Sequence, residues 1–104
     1  FTEETDLSNY GSILDCLLGT GFAGDVKGIT KTAIEEINRC GNMGSFIVAA
    51  DINSGLNGNT GEGSTFVKSD LTVSIGDFKH GHFKGLAKEA MKDKVNCDIG
   101  IKLI

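Results

Sequence analysis

Two aspartates interrupt or close apolar runs in this 104-residue chain: Asp15 within "SILDCLL" and Asp51 at the end of "SFIVAAD". A carboxylate among apolar neighbours is costly unless a cation or several hydrogen-bond donors meet it. Each is therefore either a hydrogen-bonded strand end or a working group, as a metal ligand or an acid/base. Ser54 lies three residues after Asp51 in "DINSG", a turn that Asn53 and Gly55 favour and that also suits an Asx-turn without a ligand. Carboxylate, hydroxyl and carbonyl oxygens are hard ligands, suited to an alkali or alkaline-earth ion and not to zinc.

"GTGFAG", from Gly19 to Gly24, matches G-x-G-x-x-G directly after an apolar run. In a dinucleotide fold such glycines let the backbone approach a pyrophosphate at a helix N-terminus, with a ribose-binding acid about 20 residues further on. Here the helical pattern starts only near Thr32, and Asp51 lies 27 residues beyond Gly24. The stretch therefore reads as an anion-friendly loop. An ordinary Rossmann dehydrogenase would need its helix to open between Gly21 and Gly24. In "FKHGHF", His80 and His82 sit in a glycine-containing loop and read as solvated, whereas Lys79 stands just after a strand.

Ligands of open α/β sheets bind outside the carboxyl ends of the strands, so the elements must bring Asp15, the Gly19 loop, Asp51 and Lys79 to one edge. "SILDCLLGTG" (12–21) and "SFIVAAD" (45–51) read as strands buried on both faces, and "LTVSIG" (71–76) as a shorter, partly alternating one. "KVNCDIGI" (94–101) reads as a closing strand. "TKTAIEEINRC" (30–40) has Ala33, Ile34 and Ile37 at helical spacing, a capping box from Thr32 to Glu35, and Gly41 as its stop. "FKGLAKEAMKD" (83–93) is a short helix or a helical turn. The order predicts an α/β fold with a mostly parallel sheet.

Composition narrows the partners. A net charge of −4 and a pI near 5.0 provide no basic field for a phosphate backbone, which disfavours nucleic acid. No apolar run approaches the roughly 18–20 residues of a membrane span and no basic leader precedes an apolar stretch, so the sequence reads as cytoplasmic with no membrane partner. Cys16, Cys40 and Cys97 are odd in number and widely spaced, as reduced core thiols are. Fifteen glycines and no proline leave glycine to do the turning.

Four linked segments, "DCLLGTGFAGDVKG", "VAADINSGLNGNTGE", "VKSDLTVSIGDFKHG" and "NCDIGI", occur in the order and at the spacings of one family. The chain resembles the second half of the YjeF N-terminal domain, the NAD(P)H-hydrate epimerase domain, over about residues 13–101. That resemblance implies a three-layer Rossmann-like fold of which residues 1–104 form the C-terminal part of a single domain. It implies an epimerase that interconverts the R and S hydrates of NADH and NADPH, with Asp51 and Asp15 as catalytic candidates. It also implies a K+ ion at Asp15 and Ser54, and contacts to the hydrated nucleotide from Gly19, Thr20, Gly21, Phe22, Ala23, Gly24, Asp25 and Asp51. The glycine-rich backbone after Asp51 would then be free to turn carbonyls and Ser54 toward the ion. Further partners would be the N-terminal half of the domain or a second chain supplying it, a second copy in a homodimer, and a dehydratase, fused or separate. The family's usual DIPSG is DINSG here, and its usual APKPG is DFKHG. The alternative is a non-catalytic module of the same fold that serves as a protein-interaction scaffold.

Overall fold

A computed structural model describes residues 5–18 and 26–98. The elements are β1 (Ser12–Asp15), α1 (Gly28–Asn42), β2 (Phe46–Ala50), β3 (Ser69–Ile75), a 3-10 turn (His80–His82), α2 (Ala87–Ala90) and β4 (Met91–Cys97). The four strands form one sheet in the order β1-β2-β3-β4, and every neighbouring pair is parallel.

Helix α1 buries Ala33, Ile34, Ile37 and Cys40, which recur at helical spacing and so share one stripe. Ile34 and Ile37 pack on Ile47 of β2, with Val26 and Val67 closing the cluster. The helix opens at Gly28, earlier than the apolar spacing implies, from an extended Lys27 with no side-chain cap. Thr32 instead turns its hydroxyl back to the Gly28 carbonyl at 3.3 Å, so the capping box expected from Thr32 to Glu35 does not form. Gly41 lies inside the helix, which ends at Asn42 with Met43 as its cap. A second apolar cluster joins Ile52 and Leu56 of the long loop to Ala87, Ala90 and Met91.

The strands differ from expectation in one respect that matters later. Instead of being buried on both faces, they alternate. Ile47, Ala49, Thr72 and Ser74 are buried, whereas Leu14, Phe46, Ile75 and Val95 are exposed. Leu14, Val48 and Leu71 stand in one cross-strand row, and Ala50, Val73 and Val95 in the next. Strand order equals chain order, and parallel crossovers are almost always right-handed, which puts every connection on the same side of the sheet. No described element covers the other face.

The cysteines also depart from the core reading. Only Cys40 is buried; Cys16 and Cys97 are exposed. Cys16 follows the last residue of β1, and Cys97 ends the outermost described strand, so neither has a layer above it. Burial pushes the Cys40 thiol above its ordinary value. Among the described residues, no helix is long and apolar enough to cross a membrane.

Candidate functional site

Asp15 ends β1 and is almost fully buried, 1% exposed. Its carboxylate is met by donors from two loops. Ser54 donates its backbone N–H to Oδ2 at 2.8 Å and its hydroxyl to Oδ1 at 2.6 Å. The Leu17 N–H adds a bond to Oδ1 at 3.2 Å. Ser54 Oγ in turn accepts the Leu18 N–H at 2.8 Å. Among the described residues no cationic side chain pairs with Asp15, so its charge is balanced by N–H and O–H dipoles alone.

Asp51 lies one residue past β2, beside Asp15 along the same carboxyl-end edge. Among the described residues it is the non-glycine residue with positive φ, at 70°. The Ile52 N–H bonds to the Ala50 carbonyl at 2.9 Å, which makes Asp51 the centre of a γ-turn of the rare, strained positive-φ kind. Both its backbone groups are tied down. Its N–H reaches the Val73 carbonyl at 2.7 Å, and its carbonyl meets His82 Nε2 at 2.6 Å. The carboxylate Oδ1 accepts Lys79 Nζ at 2.7 Å and, weakly, the Ile75 N–H at 3.4 Å. Lys79 Nζ spends its other donors on the carbonyls of Ile75, at 3.2 Å, and Asp77, at 3.1 Å. The Asp51 side chain keeps a quarter of its surface, 25%.

His82 overturns the solvated reading of both histidines. His80 is exposed, but His82 is fully buried at 0%. The 3-10 turn folds its ring inward, where the Lys79 N–H donates to Nδ1 at 2.8 Å and Phe78 packs edge-on, with ring centroids 5.4 Å apart. The available signal was the three-residue spacing from Lys79 to His82 between two phenylalanines, which suits one tight turn around an apolar pocket.

Asn53, also missed, is the other anchor of "DINSG". Its fully buried carboxamide donates its two N–H groups to the carbonyls of Val67 at 2.7 Å and Ala90 at 2.8 Å, with Ser69 Oγ 3.1 Å from the same nitrogen. It also accepts the Thr72 hydroxyl. The turn is thus gripped by Asp15 through Ser54 on one side and by β3 and α2 through Asn53 on the other. The glycines after Asp51 serve close packing more than freedom. Gly55, at φ 92°, and Gly61, at φ 71°, would each drive a Cβ into a carbonyl oxygen, of Thr65 and of Lys84 respectively.

Asp15, Ser54, Asp51 and Lys79 therefore converge on the carboxyl ends of β1, β2 and β3. The expected nucleotide-contact residues Gly19, Thr20, Gly21, Phe22, Ala23, Gly24 and Asp25 lie outside the described residues. As for the implied K+, Asp15 and Ser54 supply oxygen donors, and the Leu18 carbonyl is 3.4 Å from Ser54 Oγ. A buried carboxylate without a cationic partner fits a monovalent cation with oxygen ligands. Among the described residues, no group of three or more His, Cys, Asp or Glu side chains could hold a metal ion, and an alkali-ion site does not need one.

A parallel α/β sheet with acidic and hydroxyl groups gathered at its carboxyl-end edge defines a domain of the Rossmann-like class. The chain belongs to the family described as YjeF-related protein N-terminus, whose model matches residues 1–81. Among similar curated proteins, an NAD(P)H-hydrate epimerase of Elusimicrobium minutum is 43% identical over 91 residues, 86% of this chain and 38% of that protein. One of Anaerococcus prevotii is 35% identical over 94% of this chain and 43% of its own length. A bifunctional NAD(P)H-hydrate repair enzyme of Thermofilum pendens is 35% identical over 74% of this chain and 14% of its own length. The chain thus spans less than half the length of these relatives.

Proposed function

We propose that residues 1–104 are the C-terminal part of a single NAD(P)H-hydrate epimerase domain and carry most of its acid/base and cation chemistry. The observation that carries this is Asp51: a partly exposed carboxylate at a strand end, on a strained turn, with one oxygen fixed by Lys79 and the buried Asp15–Ser54 pair beside it. Strain held in place by several bonds is characteristic of working sites. Membership of the family and the names of the relatives supply the substrate class, a hydrated nicotinamide nucleotide.

The hydrated ring carbon bears a hydroxyl beside the ring nitrogen. Asp51, after taking up a proton from solvent on Oδ2, gives it as general acid to that hydroxyl, which leaves as water while the nitrogen electron pair satisfies the carbon. Water then adds to the opposite face and returns a proton to Asp51. Such positioned proton transfer contributes about 10²–10⁴ in rate. Lys79 holds Oδ1 and leaves Oδ2, which has no partner among the described residues, to face the ligand. Asp15 and Ser54 would hold K+, which supplies positive charge near the nucleotide.

The test follows conversion of the R hydrate by NMR with the full-length protein. Asp51→Asn should lower turnover about 10²–10⁴-fold while the fold survives, since asparagine tolerates positive φ better than most residues. A full-length wild type that does not exceed the spontaneous rate would remove the epimerase from consideration.

A further inference from the structure

The structure assigns His82 as a positioning residue that fixes the backbone of Asp51 and, through the same turn, delivers Lys79 to its carboxylate. The proposal rests on Asp51 being the ligand-facing carboxylate, although its structural half can be tested separately.

The bonding pattern defines the tautomer. The Lys79 carbonyl lies 3.3 Å from Nδ1, but the closer contact is the Lys79 N–H aimed at Nδ1 at 2.8 Å, so Nδ1 is the acceptor and carries no proton. Nε2 must then be the protonated nitrogen, and it donates to the Asp51 carbonyl at 2.6 Å. One neutral ring therefore connects the turn after β2 to the turn after β3. With the Asp51 N–H bound to Val73 at 2.7 Å, the peptide units on both sides of Asp51 are held. The residue cannot relax from φ 70° without breaking a buried bond.

The same ring sets the Lys79 backbone. The His82 N–H also returns to the Lys79 carbonyl at 3.1 Å, so both main-chain groups of Lys79 are closed onto His82. From that fixed base the lysine side chain reaches Asp51 Oδ1 at 2.7 Å. Edge-on packing of Phe78 restricts the ring orientation. His82 thus touches neither ligand nor reacting atom, yet it sets where the Asp51 carboxylate points and which of its oxygens is free.

The experiment compares His82→Gln with His82→Phe in the full-length protein. Glutamine can present an N–H donor to the Asp51 carbonyl from nearly the place of Nε2, whereas phenylalanine fills the volume without a donor. Long-range ¹H–¹⁵N spectra of the wild type should show Nε2 protonated and Nδ1 bare. A large three-bond coupling from the Asp51 Hα to the Ala50 carbonyl carbon, with a strong intraresidue HN–Hα NOE, should report positive φ at Asp51 in the wild type and in His82→Gln, but not in His82→Phe. Turnover in His82→Phe should fall at least tenfold with KM changed less than threefold, and His82→Gln should recover most of it. Retention of positive φ and of turnover within twofold in His82→Phe would overturn the proposal. Should that variant fail to fold, a protonated Nδ1 in the wild type, or loss of positive φ in His82→Gln, would overturn it equally. If the wild type epimerises nothing, the functional proposal fails while the spectra still decide the role of His82.

Discussion

Asp15 and Asp51 meet the cost of a carboxylate in different ways, and the difference predicts how each responds to substitution. Asp15 is buried and held by three donors from Ser54 and Leu17, with no cation among the described residues. If K+ completes the pair, K+ should raise thermal stability by mass action, about 1.4 kcal/mol at a tenfold excess over its dissociation constant, and Na+ should do less. Asp15→Asn should remove that increment. It should also cost about 1–3 kcal/mol, because an amide nitrogen would then face one of the donors now satisfied. Thermal scans in KCl and NaCl check both, and an unchanged K+ effect in the variant would move the ion elsewhere. Both aspartates stand out in the sequence because a charge beside an apolar run is unusual, and Ser54 through its place in the "DINSG" turn. His82 stands out less: the spacing from Lys79 to His82 between two phenylalanines suits a tight turn, but nothing in "HGH" itself says which ring points inward. Its burial depends on a pocket built by Phe78 and the Asp51 turn, which are brought to it from elsewhere in the chain.

At the scale of elements, α1 is tied to the preceding segment by charge as well as by its apolar stripe. Glu36 accepts the Leu7 N–H at 2.9 Å and a two-pronged contact from Arg39, 2.7 Å to each oxygen. Arg39 beside it, then the Leu7 N–H, hold the Glu36 carboxyl at about 2, below its ordinary 4.5. A depressed carboxylate stabilises the fold fully above its unfolded value and less as pH falls toward its folded value. This contribution should therefore decline between pH 4.5 and about 2. Glu36→Gln should flatten that part of the stability curve, as urea melts at pH 5, 4 and 3 would show; an unchanged acid limb would contradict the assignment. The strands and α1 were readable because apolar spacing is a local property. Their boundaries were less so: the start of α1 follows the left-handed Gly28, at φ 63°, and not the Thr32 cap. At the start of β3, Ser69 and Thr72 bond each other at 2.7 Å and both meet Asn53, which lies 16 and 19 residues earlier, beyond the reach of a local pattern.

At the scale of the whole molecule, the sheet has one covered face among the described residues, and its strand order explains why. Four parallel strands added in one direction by right-handed connections place every connection on one side. Parallel sheets are otherwise found with both faces covered. A second layer would come from strands that join the sheet so as to reverse the winding, and β1 has an edge unpaired among the described residues. Asp15 and Ser54 lie at the carboxyl end of that edge strand, where a reversal would open a crevice for a ligand. The relatives, of which this chain covers 38% and 43% in the two epimerases, have the length for such a layer. Residues 1–104 made alone should therefore associate through Leu14, Phe46, Ile75 and Val95 and the free strand edge. Adding the remainder of the family domain should give a defined species in which those four side chains become protected. Sedimentation of the 104-residue chain over a range of concentrations, with and without Leu14→Lys and Ile75→Lys, provides the measurement. Both substitutions should reduce association of the isolated chain and should impair its union with the added segment. A wild-type chain that stays monomeric, with sharp dispersed NMR signals and cooperative unfolding, would show that the open face needs no second layer.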